Sequence, residues 1–445
     1  MNNQKQSLGY AWYTVFLCMV AYIFSFIDRQ VIALLIEPIR EDLQISDTQF
    51  SLIHGLAFAI FYAIMGIPIA RLADSKSRPM IIAIGIFAWS IATAICGASK
   101  NFWQLFAARM GVGVGEAALS PAAYSIISDS FPKSRLGFAL GVYSIGSFIG
   151  SGLAFLIGGT VIEWMNSIGV LELSIVGTVK PWQMTFFIVG LPGIFIAALF
   201  YFTIRDPGRK KTINDRCAGG NQTTHAFSIR EVLGYISLHR FTFIAHYIGF
   251  ACLALSLYAL LSWSPAFFMR KFDLPVREVG IYLGIMVLIC NTAGVLTSGW
   301  LADYLARRGF EDAAMRAGMF GALGLILPAA VFSSMPGLPG TLLVLSLAMY
   351  FASFPMATSA AALQLMAPNQ MRAQVTALFF LAMNILGITG GATLVALCTD
   401  YLFKNEQAVG YSISIVCSLA AVAGSMLLGW GLKHYSLTQK AAVSV

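Results

Sequence analysis

Twelve apolar stretches recur along the chain, and each is long enough to cross a lipid bilayer, which takes about 20 residues of helix. Hydrophobic residues make up 58% and charged residues 11% of the 445 residues, whereas soluble domains carry about 25% charged residues. The sequence therefore predicts an all-α integral membrane protein. The predicted spans, numbered one to twelve, are 10–36, 48–70, 79–98, 103–127, 136–160, 183–204, 241–268, 277–302, 314–334, 340–366, 372–397 and 408–434.

The longest polar interruption, residues 205–240, falls between the sixth and seventh spans. It divides the chain into an N-terminal six-helix bundle at 1–204, a cytoplasmic linker at 205–240 and a C-terminal six-helix bundle at 241–445. Two parallel six-helix repeats with a binding site at their interface are one known way to build a transporter.

The distribution of basic residues predicts the orientation of the spans. If both termini are cytoplasmic, the cytoplasmic segments hold 19 of the 28 lysines and arginines and the external segments hold 7. Cytoplasmic loops of membrane proteins carry such an excess. The sequence therefore predicts a multi-pass protein of the inner (plasma) membrane with both termini in the cytoplasm. The net charge of +8 is explained by this topology, so no nucleic-acid partner is expected.

Catalytic and metal-binding patterns are not found in the sequence. The seven cysteines are scattered without a CxxC pair, and the five histidines form no HExxH motif, which argues against a disulfide framework or a zinc site. A GxSxG motif is also missing. We therefore expect no enzyme activity, cofactor or metal. Twelve spans with an internal repeat also argue against a receptor or channel.

Four charged residues lie inside predicted spans: Asp28 and Arg29 in the first, and Arg109 and Glu116 in the fourth. A charge at this depth costs roughly 2.5–3.5 kcal/mol on insertion scales and is usually retained for function. Arg109 and Glu116 are seven residues apart, two helical turns, and share a face about 10 Å apart. Asp28 and Arg29 are adjacent and point in different directions. We therefore expect Arg29 near Glu116 and Asp28 near Arg109.

These charges predict proton coupling and anion binding. An adjacent arginine favours the ionised form of a carboxyl group, whereas burial away from charge favours the neutral form. Asp28 and Glu116 are therefore the predicted proton-coupling residues. Arg29 and Arg109 are the predicted substrate-binding cations, since arginine suits a phosphate or carboxylate. The alternative is a static ion network that only fixes helix packing.

The C-terminal spans carry polar but uncharged candidates among many Phe, Leu and Met residues, of which Tyr258 and Asn384 are the predicted substrate contacts. A cavity between the halves would then be charged on one wall and apolar on the other. Such a cavity suits an amphiphile with an anionic or zwitterionic head and an acyl chain.

An internal repeat marks the cytoplasmic ends of two spans. ARLADSKSR at 70–78 and GWLADYLAR at 299–307 share Leu-Ala-Asp and a final Arg at an offset of 229 residues. A carboxylate or guanidinium near a helix end can hold neighbouring helices together. The repeat therefore predicts a cytoplasmic gate formed by Asp74, Arg78, Asp303, Arg307 and Arg308. The alternative is a basic loop that only sets topology.

The layout and motifs resemble the major facilitator superfamily over nearly the whole chain. The loop at 70–78 resembles its GxLADrxGR motif, with Ala70 and Ser77 in place of the usual glycines, and RMGVGVGEA at 109–117 resembles its span-four motif. FIDRQVIALLIEPI in span one, GVGEAALSPAAYSIISDSFP at 113–132 and SWSPAFFMRKF at 262–272 resemble the Spinster-type branch.

This resemblance implies two pseudo-symmetric bundles of six helices and alternating-access transport coupled to protons. It also implies a lipid-like substrate such as a lysolipid or sphingosine-1-phosphate. GVGEA also occurs in organic-anion carriers, which leaves a small organic anion such as a sugar acid as the alternative substrate. The expected partners are this substrate, protons and the bilayer, and the carrier is expected to be a monomer.

Overall fold

A computed structural model describes residues 7–173, 177–208, 229–368 and 371–444. In these residues eleven helices are long and apolar enough to cross a membrane, and a twelfth segment, span four, consists of two consecutive helices. The first six spans are Leu8–Leu34, Asp47–Ala73, Arg78–Gly97, Phe102–Glu116 with Leu119–Ser130, Lys133–Ile168 and Pro181–Thr203. The last six are Arg240–Phe272, Val276–Arg307, Ala313–Ser334, Leu338–Met366, Gln374–Phe403 and Val409–Ser444. The predicted all-α membrane fold is confirmed.

Span four is interrupted where a continuous helix at 103–127 was predicted. Its first helix ends at Glu116 and its second begins at Leu119. Pro121 lies in the first turn of the second helix and has no N–H group, so the carbonyl of Ala117 loses its helical partner. The break therefore follows Glu116 directly.

Spans five and twelve are longer than the apolar pattern predicts. Each has 36 residues, which corresponds to about 54 Å of helix. Their polar ends continue the helix because the sequence places no helix breaker there. Span five ends only at Gly169, whose φ of 78° is a conformation that favours glycine.

Short helices and a hairpin connect several of the spans. The helix Ile36–Leu43 follows span one, and a two-stranded antiparallel hairpin, Leu171–Leu173 with Gly177–Val179, precedes span six. The helix Ile229–Leu238 lies inside the predicted linker, so this linker is not irregular throughout.

Contacts between Cα atoms divide the chain into two units. The first contains Met1–Arg29, Ile60–Ala154 and Trp164–Ala226, and the second contains Gln30–Ala59, Phe155–Glu163 and Phe227–Val445. The second unit thus includes the segment that joins spans one and two. The boundaries predicted from sequence, 1–204, 205–240 and 241–445, stay a prediction.

Spans three and four, both in the first unit, cross closely at two glycines. A Cβ atom at Gly85 would lie 2.5 Å from the Cβ of Ala118, and one at Gly115 would lie 2.6 Å from the backbone nitrogen of Trp89. Helix backbones approach this closely only where small residues leave room. Because Gly115 precedes Glu116, the same crossing positions the Glu116 carboxylate.

We expect Gly115→Ala to destabilise the protein by about 1–3 kcal/mol, because the added methyl group overpacks the crossing. The measurement is the thermal unfolding temperature in detergent. Gly137→Ala is the matched control, since nothing lies within 4 Å of its Cβ position, and it should leave the temperature unchanged or raise it. Equal unfolding temperatures for Gly115→Ala and wild type would contradict this view of the crossing.

Candidate functional site

Spans one and four bury four ionisable side chains in the first unit. Asp28, Arg109 and Glu116 are 2%, 1% and 1% exposed, and the side chain of Arg29 is 13% exposed. The apolar remainder of both helices gives these groups little contact with water. They form a compact set of charges, which we call the span-one/four cluster.

Arg29 and Glu116 form an ion pair, as the sequence predicts. The Arg29 Nε atom lies 2.6 Å from Glu116 Oε2, and the Ser25 hydroxyl donates a hydrogen bond of 2.7 Å to the same oxygen. The Arg29 guanidinium also contacts the aromatic rings of Phe26 and Tyr62, at 4.7 and 4.8 Å from their centroids. Arg29 is thus held by both charge and aromatic contacts, which fix its orientation.

Asp28 points toward span three. Thr93 donates a hydrogen bond of 3.1 Å to Asp28 Oδ2. Arg109 donates a bond of 3.2 Å to the main-chain carbonyl of Asp28. The predicted proximity of Asp28 and Arg109 is therefore present, but this bond goes to the backbone oxygen.

Each carboxylate in the cluster has one bonded and one unbonded oxygen. Asp28 Oδ1 and Glu116 Oε1 are buried and accept no hydrogen bond from any residue that the structure describes. Buried polar atoms usually have a partner, and the exceptions are often functional. These two oxygens are therefore buried acceptors that the described residues leave unused.

Sequence reasoning missed Ser25 and Thr93. Ser25 lies four residues before Arg29, one helical turn away on the same face, and this spacing could have identified it. Thr93 gives no such signal, because its contact with Asp28 depends on how span three packs against span one.

Tyr258 and Asn384, the predicted substrate contacts of the C-terminal half, belong to neighbouring helices of the second unit. Tyr258 in span seven packs against Gly391 in span eleven. A Cβ atom added to Gly391 would lie 3.3 Å from the Cβ atom of Tyr258. Asn384 is half-buried and begins a π-helical segment, Asn384–Thr389, one turn before Gly387. π-Helical segments often occur at functional sites.

Arg78, a predicted gate residue, is buried in a network of acidic groups in the first unit. Its guanidinium forms ion pairs with Asp129 and Asp206 and donates a bond of 2.9 Å to Ser125 Oγ. Its backbone N–H, at the start of span three, donates a bond of 3.1 Å to Asp206. Arg78 therefore joins the ends of spans three and four to the segment after span six.

Asp206 lies outside the membrane spans, and its pKa reports this network. Partial burial raises the pKa of the Asp206 carboxyl group, but hydrogen bonds from Arg78 lower it by a larger amount. The pKa therefore lies below its usual value. A lowered pKa means that the ion pair stabilises the fold above the pKa of the unfolded state. This contribution is lost as the pH falls through the pKa of the folded state.

The other predicted gate residues make fewer contacts. Asp303, Arg307 and Arg308 are exposed at the end of span eight, and Arg308 donates a bond of 2.6 Å to the Tyr304 hydroxyl. Among the described residues, Asp303 and Arg307 form no ion pair or side-chain hydrogen bond. The Asp74 side chain lies outside the described residues.

A second charged cluster, absent from the sequence-based predictions, lies in the second unit. This Arg270 cluster consists of Glu37, Arg40, Asp47, Arg270 and Glu406. Two nitrogens of Arg270 lie 2.8 Å from the two oxygens of Asp47, a fully buried carboxylate, and a third lies 2.7 Å from Glu37. Bidentate pairs of this kind are among the strongest charged contacts.

Arg40 connects the same cluster to the start of span twelve. Its Nε lies 2.9 Å from Asp47, and its guanidinium pairs with Glu406. Burial lowers the pKa of Arg40, but the hydrogen bond to Glu406 and the charge of Asp47 raise it more, so its pKa lies above the usual value. Next to this pair, the Thr48 hydroxyl donates a bond of 2.6 Å to Asp400. The Arg270 cluster thus ties the segment after span one and the start of span two to span seven and to the segment before span twelve. The neighbouring contact of Thr48 with Asp400 adds span eleven.

Eleven long apolar helices and the interrupted span four define a polytopic membrane protein. A sequence profile of the Major Facilitator Superfamily matches residues 18–391. The chain therefore belongs to the Major Facilitator Superfamily.

A solved structure of a similar protein indicates which branch of the superfamily this chain resembles. The crystal structure of a bacterial homologue of the human lysosomal transporter Spinster, in an inward-facing and unoccupied conformation, is 25% identical, with a TM-score of 0.77 and 98% of each chain covered. This similarity confirms the predicted resemblance to the Spinster-type branch.

Two sequence relatives are also informative. An MFS-type efflux pump of Mycolicibacterium smegmatis is 28% identical over 424 residues, 94% of this chain and 91% of that protein. A probable L-galactonate transporter of Escherichia coli is 27% identical over 331 residues, 71% of this chain and 68% of that protein. One of these relatives is thus an efflux pump and the other a probable transporter of a sugar acid.

Proposed function

We propose that this transporter moves an amphiphilic, lipid-like anion by alternating access and couples that movement to protons. The observation that carries the proposal is the span-one/four cluster, which buries two carboxylates and two guanidiniums inside apolar helices. Ionisable residues within membrane spans mark proton relays and substrate paths in many transporters. The substrate class we propose is a lysolipid or a sphingosine-1-phosphate-like phosphate.

Asp28 and Glu116 carry the proton in this proposal. Glu116 faces Arg29 at 2.6 Å, so a change of conformation that lengthens this contact removes the charge that favours the ionised form. The carboxyl group then takes up a proton, and restoring the contact releases it. Asp28 exchanges a proton in the same way as its distance from the guanidinium of Arg109 changes.

Arg29 and Arg109 bind the anionic head of the substrate in this proposal, and Tyr258 and Asn384 are the further proposed substrate contacts. Guanidiniums recognise phosphate and carboxylate oxygens through paired hydrogen bonds. Because Arg29 also pairs with Glu116, a bound anion competes with this carboxylate for the guanidinium. That competition links substrate binding to protonation of Glu116.

The cytoplasmic gate of this proposal contains Asp74, Arg78, Asp303, Arg307 and Arg308. The buried network around Arg78 supports a role in holding the ends of several spans together. We further propose that the protein is a monomer of the inner (plasma) membrane with both termini in the cytoplasm. The excess of basic residues in the cytoplasmic segments supports this orientation.

A sugar acid is the second candidate substrate. The similarity to a probable L-galactonate transporter favours it, because a sugar acid carries one carboxylate that the same guanidiniums could bind. It differs from a lysolipid in having no acyl chain. Competition between the two substrate classes therefore separates the proposals.

The test is uptake into proteoliposomes with a pH gradient, using radiolabelled lysophosphatidylglycerol and radiolabelled D-galactonate as alternative substrates. We expect pH-driven movement of the lysolipid and no transport of galactonate. Transport of galactonate without transport of the lysolipid would show that the substrate is a sugar acid and not a lipid-like anion. Vesicles with Arg109→Gln serve as the control for passive lipid transfer, because the variant removes one of the proposed head-binding cations.

A further inference from the structure

Spans seven and twelve carry an aromatic and basic patch at the ends that hold Arg240 and Lys433. The rings of Phe241, Trp430 and His434 form a triad whose centroids are 5.3–5.6 Å apart. The Arg240 guanidinium lies 5.0 Å from the centroid of Phe241. All of these residues belong to the second unit and none is part of the proposed transport site.

Helix length indicates that the patch lies where span twelve leaves the hydrocarbon region. Val409–Ser444 has 36 residues, about 54 Å of helix, whereas the hydrocarbon core is about 30 Å thick. About 20 residues after Val409 the helix reaches Trp430. Tryptophan and basic residues prefer this interfacial depth, where an aromatic ring meets lipid headgroups.

The two basic residues of the patch lack an acidic partner among the residues that the structure describes. Arg240 and Lys433 are exposed and form no ion pair with any residue in the described part of the chain. By contrast, nearby Lys440 pairs with Glu311 and Arg316 pairs with Asp312. Lys433 lies three residues after Trp430, so it occupies the same helix face. The patch thus presents two uncompensated positive charges beside a half-buried histidine ring.

An apolar track leads away from the triad toward the membrane interior. Ile244 and Ile248 are 42% and 40% exposed and follow Phe241 at three and seven residues, on one face of span seven. Met426, which is 68% exposed, precedes Trp430 by one turn of span twelve. An acyl chain can lie along these side chains while a headgroup meets the basic residues.

We propose that this patch is a binding site for an anionic phospholipid of the surrounding leaflet. Arg240 and Lys433 contact the phosphate, the His434 ring and Trp430 indole donate hydrogen bonds to headgroup or glycerol oxygens, and the acyl chain packs on the apolar track. Basic pockets between transmembrane helices bind such headgroups. A zwitterionic lipid gains less here, because its own cation meets the same positive charges.

The test is native mass spectrometry of the full-length protein in detergent with equal amounts of phosphatidylglycerol and phosphatidylcholine. We expect wild type to retain phosphatidylglycerol about 30-fold more than phosphatidylcholine, because each of the two basic residues contributes about 1 kcal/mol near a lipid surface and about 1.4 kcal/mol is a tenfold change. The double variant Arg240→Gln/Lys433→Gln should lose this preference. The matched control Arg71→Gln/Arg135→Gln removes two exposed basic residues that lie outside this patch, and it should keep the preference.

Three outcomes would overturn the proposal. Wild type without a preference for phosphatidylglycerol would show that the patch selects no lipid charge. An equal loss in both double variants would show a general effect of net charge. Displacement of phosphatidylglycerol by millimolar inorganic phosphate would show a site for free phosphate instead of a lipid.

Discussion

Asp28→Asn and Glu116→Gln are each expected to reduce pH-driven substrate uptake about 100-fold, the lower end of the effect of removing a proton-transferring group. Both substitutions keep the shape of the side chain but remove the exchangeable proton. The hydrogen bonds from Thr93 and Ser25 can still be accepted by the amide oxygen. We therefore expect both variants to bind substrate while losing the response to a pH gradient. Glu116→Gln should also be less stable than wild type, because Arg29 loses its charged partner.

Uptake driven by a pH gradient measures the coupling to protons. Counterflow exchange at one pH measures substrate binding and movement without that coupling. The variants should lose the first and retain most of the second, because exchange at equal pH needs no net proton movement. Glu172→Gln is the matched control, since Glu172 is an exposed carboxylate in the hairpin before span six. Unchanged pH-driven uptake in both Asp28→Asn and Glu116→Gln would refute the coupling roles.

Arg270→Gln is expected to open the Arg270 cluster. Asp47 is fully buried and would lose its bidentate partner. Removing one partner of a buried ion pair costs about 3–5 kcal/mol, because the remaining charge stays buried. That energy is enough to shift a conformational equilibrium by more than tenfold. We therefore expect the segment between spans one and two to separate from span twelve.

Electron–electron double resonance between spin labels on Glu41 and Asn405 measures this separation. Both positions are exposed and belong to the second unit. Arg270→Gln should add a longer distance to the distribution that wild type gives. Arg277→Gln is the control, because its ion pair with Glu163 is about half exposed at 3.5 Å and such pairs contribute about 1 kcal/mol or less. An identical distance distribution in wild type and Arg270→Gln would contradict the prediction that the Arg270 cluster holds these segments together.

The sequence predicted the parts of this protein that follow from local pattern. Apolar runs located the spans, because a bilayer imposes a minimum helix length. Charges inside those runs identified Asp28, Arg29, Arg109 and Glu116, because each is costly in an apolar setting. The pairing of Arg29 with Glu116 was predictable from helical geometry, once the two spans were assumed to be neighbours.

Contacts between distant loops could not be predicted in this way. Asp47, Arg270 and Glu406 lie in three separate polar segments, and each alone resembles an ordinary solvated charge. The network of Arg78 with Asp129 and Asp206 likewise depends on how spans three, four and six pack. Thr93 was missed for the same reason, since a threonine in an apolar span carries no signal of its partner.

The central claim is that substrate and protons move together through the span-one/four cluster. A pH-sensitive dye inside proteoliposomes measures it directly when lysophosphatidylglycerol is added without an imposed pH gradient. Wild type should change the internal pH in proportion to the substrate taken up, and Glu116→Gln should not. Substrate uptake by wild type with no change in internal pH would contradict the account.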